Sequence, residues 1–165
     1  MGAFVAMGAL SGCTTLSAGQ PAAPAAAETI AISVGPCFGF CPIYKVSLTP
    51  AGTVDFNGER HTAVLGERTR EAGVPAYRNA AAALAAFRPQ TGSTAETTCE
   101  TRISDQQHYQ ISWTAADGTV TTLEHDKGCR SPRNETLNAA LEGLPSQLGI
   151  EGWTEQTTRP GASRG

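Results

Sequence analysis

TIAISVGPCFGFCPIYKVSLTPAGTVDF, running from Thr29 to Phe56, decides the fold. Ile30, Ile32 and Val34 share one parity while Thr29, Ala31 and Ser33 take the other, and a period of two predicts a strand with one buried face. Gly35-Pro36 ends it. Within Ile43 to Thr49 the alternation returns through Tyr44, Val46 and Leu48. Pro50-Ala51-Gly52 then supplies a turn into Thr53, Val54, Asp55 and Phe56, which makes a hairpin.

Downstream, Asn57-Gly58 is expected to reverse the chain into a fourth strand at His61 to Leu65. Pro75 opens a helix where a missing N–H costs nothing, and Tyr77, Ala81, Leu84 and Phe87 or Arg88 follow at helical spacing until Pro89. Tyr109, Ile111 and Trp113 mark a further strand, and a two-residue turn at Asp117-Gly118 leads into Thr119 to His125. Val120 and Leu123 have opposite parity, so a bulge near Thr121 or Thr122 is expected to bring both to the core. Ser131 caps a second helix with Pro132 at its first position and an apolar stripe of Leu137, Leu141, Leu144 and Leu148. Strands in runs with two separate helices predict an α+β fold, an antiparallel β-sheet of about five or six strands with two helices on one face.

Upstream of Thr29 the composition changes. Leu10-Ser11-Gly12-Cys13 closes a short uncharged apolar run, too short to span a bilayer, and reads as a lipobox whose Cys13 is acylated. Residues 1–12 are then a lipoprotein signal peptide. They lack a basic n-region, from which a start codon further upstream is expected. Residues 13–28 form a lipidated Ala/Pro-rich tether unable to bury enough apolar surface to order itself. Residues 29–152 make one α+β domain, and the polar tail 153–165 is expected to be disordered.

With Cys13 assigned to lipid, Cys37, Cys41, Cys99 and Cys129 remain. An exported chain meets an oxidising compartment, where an even set of cysteines argues for two bridges. The preferred pairing is Cys37 with Cys41 and Cys99 with Cys129, because Phe38-Gly39-Phe40 turns tightly between two strands and the longer loop holds the Trp113 hairpin. Chain entropy gives the longer loop roughly 3.5 kcal/mol and the shorter roughly 2. A crossed pairing of the early with the late cysteines stays open.

Pro36-Cys37-Phe38-Gly39-Phe40-Cys41-Pro42-Ile43-Tyr44 resembles the Pro-Cys-x-Gly-x-Cys-Pro-x-Tyr signature of an uncharacterised bacterial lipoprotein domain family. Gly52-Thr53-Val54 is similar to that family's Gly-x-Val hairpin, and the order of strand, helix, hairpin and helix follows it to Leu148. The resemblance implies a small α+β domain and carries no activity or ligand.

Three chemistries compete for the double-cysteine segment. A turn pinned by a disulfide needs no further role. Redox exchange usually uses Cys-x-x-Cys at a helix start, whereas here an extra residue intervenes and β-prone Ile43 and Tyr44 follow. Metal binding would draw on the cysteines with His61, His108 and His125, but no zinc-type spacing occurs. Without a bulge, His125 would lie opposite Gln110 and diagonal to His108 on one sheet face, where two imidazoles could grip a metal.

Other enzymatic signals are weak. Gly161-Ala162-Ser163-Arg164-Gly165 fits a nucleophile elbow only on paper, with no strand before it and no helix after. Ser33, Ser47 and Ser112 fall in strands without triad partners. No phosphate loop occurs, and Asn134-Glu135-Thr136 reads as a helix start rather than a glycosylation site.

With 12 Lys and Arg against 15 Asp and Glu, a net charge of −3, the chain has no basic stripe for nucleic acid. The reading is a bacterial envelope lipoprotein, more a binding or assembly module than an enzyme, with neither cofactor nor metal. Its partners are the membrane through Cys13 and an envelope protein, and, by resemblance to the sorting rule of enteric bacteria, Thr14 rather than Asp after the lipid cysteine implies the outer membrane, facing the periplasm. The alternative is a periplasmic thiol-redox or metal-handling protein using Cys37 and Cys41.

Overall fold

A computed structural model describes residues 1–2 and 27–157. The alternating segment at Thr29–Val34 is β1, with Ile30, Ile32 and Val34 buried as their parity requires. Ile43–Leu48 is β2 and Thr53–Arg60 is β3, an antiparallel pair in which Val46 faces Phe56 and Leu48 faces Val54. Gly52 makes their turn at φ 92°, and a Cβ there would lie 2.1 Å from the Gly73 carbonyl carbon, so only glycine fits.

Gly66–Glu71 is β4 and Val74–Ala85 is α1; Thr94–Glu96 is β5 and Thr101–Arg102 is β6. His108–Thr114 and Val120–Asp126 are β7 and β8, Cys129–Arg130 is β9, Pro132–Gln147 is α2 and Glu151–Thr154 is α3. Seven strands form one sheet in the order β4-β3-β2-β1-β7-β8-β5, and β6 with β9 forms a second, two-stranded one. Every pairing is antiparallel except β5 on β8. After β4 the chain crosses through α1 to the opposite edge, where β5 runs parallel to β8.

One sheet face is covered. Ile32, Val46, Phe56, Ile111, Trp113 and Leu123 meet Ala80, Leu84 and Phe87 from α1 and its exit, and Leu137, Leu141, Leu144 and Leu148 from α2 and its C-cap. The Ser131 hydroxyl accepts from the Asn134 N–H at 3.1 Å, the N-cap its sequence predicts. The other face carries Ala31, Ser33, Lys45, Ser47, Asp55, Gln110 and Ser112 around a shallow concavity of about 350 Å³.

The α+β expectation and the one-sided helices hold, and five details are corrected. The strands number seven and two rather than five or six, and α3 adds a third helix. His61–Leu65 is a loop, with the fourth strand at Gly66–Glu71, and Asn57-Gly58 lies inside β3 paired with Glu67 and Gly66. No bulge interrupts β7 and β8: Thr121, Leu123 and His125 face the core, and Val120 is exposed. The Thr121 hydroxyl meets its need by accepting from the Gly92 N–H at 3.0 Å and from Arg88 at 3.4 Å, so a threonine serves where an apolar residue was expected.

The β7–β8 turn is also longer than two residues. Ala115 pairs its N–H with the Thr119 carbonyl at 2.9 Å, and Gly118 sits at φ 85°. That three-residue loop shifts the register by one from the expected one. Finally, residues 153–157, placed in the tail on sequence, join the fold: Trp153 packs on Phe56 at 5.6 Å and Gln156 bridges Thr62. Cys13, the body of the tether and the remaining tail lie outside the described residues.

Candidate functional site

The connection between β1 and β2 is the signature segment, closed by a Cys37–Cys41 disulfide with its Cα atoms 5.8 Å apart. Gly39, at φ 139°, supplies a backbone conformation that other residues avoid. The loop is braced by β7, the neighbour of β1, and by the residues just before it. Gly35 donates to the His108 carbonyl at 2.8 Å and Phe38 to the Asp105 carbonyl at 3.1 Å. The Gln107 amide donates to the Pro42 carbonyl at 2.8 Å and to the Gly35 carbonyl at 3.3 Å. A loop fixed at so many points presents what lies between its cysteines in one arrangement.

What it presents is apolar. Phe38 is 89% exposed, and Phe40 stands edge-on to His61 with ring centroids 5.3 Å apart. Loops 36–42, 61–65 and 103–107 gather at this end of the sheet, where Leu65 and Ile103 are also exposed. An aromatic side chain on a fixed backbone has only two rotatable bonds to order on binding, which suits an interface anchor.

The second bridge, Cys99–Cys129, has its Cα atoms 4.9 Å apart and joins the short β6–β9 sheet to the chain entering it. Cys129 is sealed, and the Asn134 amide donates to its sulfur at 3.3 Å and to the Thr98 carbonyl at 2.9 Å. Asn134 is thus a buried strut, in keeping with the reading of Asn134-Glu135-Thr136 as a helix start.

His125 is buried beside it and both ring nitrogens are engaged, Nδ1 with the Thr97 hydroxyl at 2.9 Å and Nε2 with Asn138 Oδ1 at 2.8 Å. Asn138 donates its amide to the Lys127 carbonyl at 3.3 Å, which turns its oxygen toward the ring. The proton therefore sits on Nε2, and Nδ1 accepts from Thr97. Burial pushes the imidazole below the ordinary histidine range.

That geometry corrects the two-histidine reading. His125 pairs with Tyr109, not Gln110, and His108 pairs with Asp126. His125 points into the core while His108 is exposed on the opposite face, and His61 stands in the 61–65 loop at φ 62°. The register puts the three imidazoles in three places.

At the opposite end of β1 lies a clamp that the sequence reading missed. Arg88 donates to both carboxylate oxygens of Glu28, at 2.9 and 2.7 Å. The Tyr77 hydroxyl accepts from the Glu28 N–H at 3.0 Å and donates to its carbonyl at 2.8 Å. Glu28, the last residue of the expected tether, is held by the domain through these four bonds. Ser33, Ser47 and Ser112 lie on the open sheet face, and Ser163 lies outside the described residues.

A profile of the family described as "Domain of unknown function (DUF6438)" matches residues 28–145, from the clamp to the last turn of α2. Nothing matches among curated proteins or among solved structures.

Proposed function

The chain belongs to the DUF6438 family of domains of unknown function, and we propose that it serves as a lipid-tethered binding or assembly module of the bacterial envelope. Cys13 carries the lipid, the Ala/Pro-rich segment spaces the domain from the bilayer, and the Cys37–Cys41 loop meets an envelope protein through Phe38.

One observation carries the reading: the clamp and the aromatic loop sit at opposite ends of β1. Six residues of strand separate them by about 20 Å. A domain held from Glu28 turns its loop end away from the attachment point. Acyl chains on one cysteine hold the anchor through roughly 0.8 kcal/mol per buried methylene, leaving the domain in water.

The test has two arms in intact cells. Labelled fatty acid is expected on the protein and lost in Cys13→Ser. A photo-crosslinking residue at position 38 is expected to give adducts with an envelope protein, and one at Ala116, on the tether-side turn, is not. Lipid on the Cys13→Ser protein refutes the anchor, and equal crosslinking from both positions refutes the loop.

A second reading rests on the unequal burial of the bridges. Cys37, Cys41 and Cys99 are half-buried whereas Cys129 is fully buried, so an incoming thiolate can attack either sulfur of the first bridge but only Cys99 of the second. In that reading the protein exchanges Cys37–Cys41 with a periplasmic dithiol. Thiol titration under denaturing conditions separates the two: no free thiol and no lability to mild reductant removes the redox role.

A further inference from the structure

Two tyrosines at the loop end of the sheet are buried without using their hydroxyls. Tyr44 is the second residue of β2 and Tyr109 lies in β7, both directly opposite Val34 of β1, and they are 9% and 7% exposed. Tyr44 packs on Phe56 at 5.5 Å and Tyr109 stacks on His125 at 6.3 Å. Among the described residues neither phenol bonds to a protein group, so each hydroxyl is free to serve solvent or a ligand. Neither oxygen is sealed from solvent either.

Both rings line a cleft of about 190 Å³ between the sheet end and the last turns of α2. Its walls are the apolar side chains of Val34, Leu141 and Pro145, and Lys127 and Glu142 also line it. Those two are joined at 2.5 Å, with side chains 28% and 53% exposed. A pair so exposed is held weakly and opens readily. Burial raises both phenols, Tyr109 to about 12, with Tyr109 adding to the effect on Tyr44 and Glu142 to that on Tyr109. Both hydroxyls therefore keep their protons at neutral pH and remain donors.

We propose that this cleft is a binding site for a free α-amino acid with a small apolar side chain, its carboxylate received by the Tyr44 and Tyr109 hydroxyls and Lys127, and its ammonium by Glu142. The volume is below that of pockets that take drug-sized ligands. The sign of the charges selects the ligand. A simple anion would face Glu142 and a simple cation would face Lys127, whereas a zwitterion replaces the ion pair with one contact of each sign. The apolar walls then take the side chain. The site does not depend on lipid attachment or on the loop's partner.

The purified full chain is titrated with L-leucine and followed by amide and tyrosine-ring NMR shifts, with N-acetyl-leucine and leucinamide as probes lacking one charge each. Saturable shifts around Tyr44, Tyr109 and Lys127 are expected with leucine. At least tenfold weaker binding is expected for each blocked probe. Tyr44→Phe and Tyr109→Phe keep the rings, so the fold is checked by the retained sheet spectrum, and each is expected to weaken leucine at least tenfold. Lys127→Met, at the surface, is expected to do the same. Absence of saturable shifts with leucine overturns the site. Equal binding by either blocked probe overturns the zwitterion assignment, and unchanged affinity in the folded Phe variants and in Lys127→Met overturns the residue roles.

Discussion

Arg88 grips both carboxylate oxygens of Glu28 across a sequence separation of 60, with the two side chains only 21% and 9% exposed. The pair joins the exit of α1 to the start of β1, the central strand of the large sheet. Arg88 also reaches Thr91 and Thr121, so the same guanidinium ties in the turn before β5 and the core face of β8. The start of β1 is held by a buried charge pair.

Removing one partner of such a pair leaves the other charge buried and unmatched, at a cost of about 3–5 kcal/mol. Arg88→Met is expected to lower unfolding stability by about 3 kcal/mol, since the exposure of Arg88 keeps it toward the lower end. Glu28→Gln is expected to cost less, because the amide still accepts one bond. The double variant should be more stable than additivity of the two losses allows. Urea unfolding of the four proteins measures the coupling; strict additivity would mean that the pair contributes nothing.

Gly58 gives a second expectation. A Cβ at this position would lie 2.0 Å from the Val64 carbonyl oxygen and 2.7 Å from the Thr62 hydroxyl. The loop it would push away is tied to the C-terminal helix, since Val64 donates to the Trp153 carbonyl at 3.2 Å. Gly58→Ala is expected to cost about 1–3 kcal/mol as overpacking. It should also raise amide exchange at Val64 and Trp153. Unchanged stability would show that the loop yields freely.

These positions show how much the sequence could tell. β1, β2, β3 and α2 are legible because their apolar residues alternate or repeat at helical spacing and Ser131 caps the helix. Asn57-Gly58 misleads because an Asn-Gly pair looks alike in a turn and in a strand that another backbone approaches closely. β4 is a charged edge strand, all six residues exposed, and carries no apolar alternation to read. β5 is three residues long, too short for any periodicity. In the candidate site the cysteine spacing marks the loop, but its Gln107 brace and the Glu28–Arg88 clamp join residues more than 55 positions apart. No local pattern encodes such pairs.

The two disulfides should differ in both worth and lability. Replacing Cys99 and Cys129 by serine is expected to cost about 3.5 kcal/mol, and replacing Cys37 and Cys41 about 2, because the longer loop restricts the unfolded chain more. Cys129 is also fully buried under Asn134, which leaves half-buried Cys99 as the one sulfur of that bridge open to reductant, against two in Cys37–Cys41. Alkylation and mass analysis after graded mild reduction are expected to label Cys37 and Cys41 first. Equal labelling of both pairs would show that burial does not protect the second.

His125 predicts a pH dependence with a definite sign. Burial holds its imidazole below the ordinary range and the exposed His108 acts the same way; the Asn138 hydrogen bond and the Asp126 charge oppose them without prevailing. The unfolded imidazole titrates near 6.5. Above that value both states are neutral and the group leaves stability unchanged. As pH falls through it the unfolded chain takes the proton first, so stability drops until the lower folded value is passed. The urea midpoint is expected to fall between about pH 7 and pH 5. His125→Gln, which keeps polar contacts to Thr97 or Asn138 but cannot charge, is expected to start about 1–3 kcal/mol lower and to lose part of that slope. His61 and His108 are common to both proteins, so the difference between the two curves belongs to His125. Parallel curves would mean that the buried ring takes up its proton as easily as a solvated one.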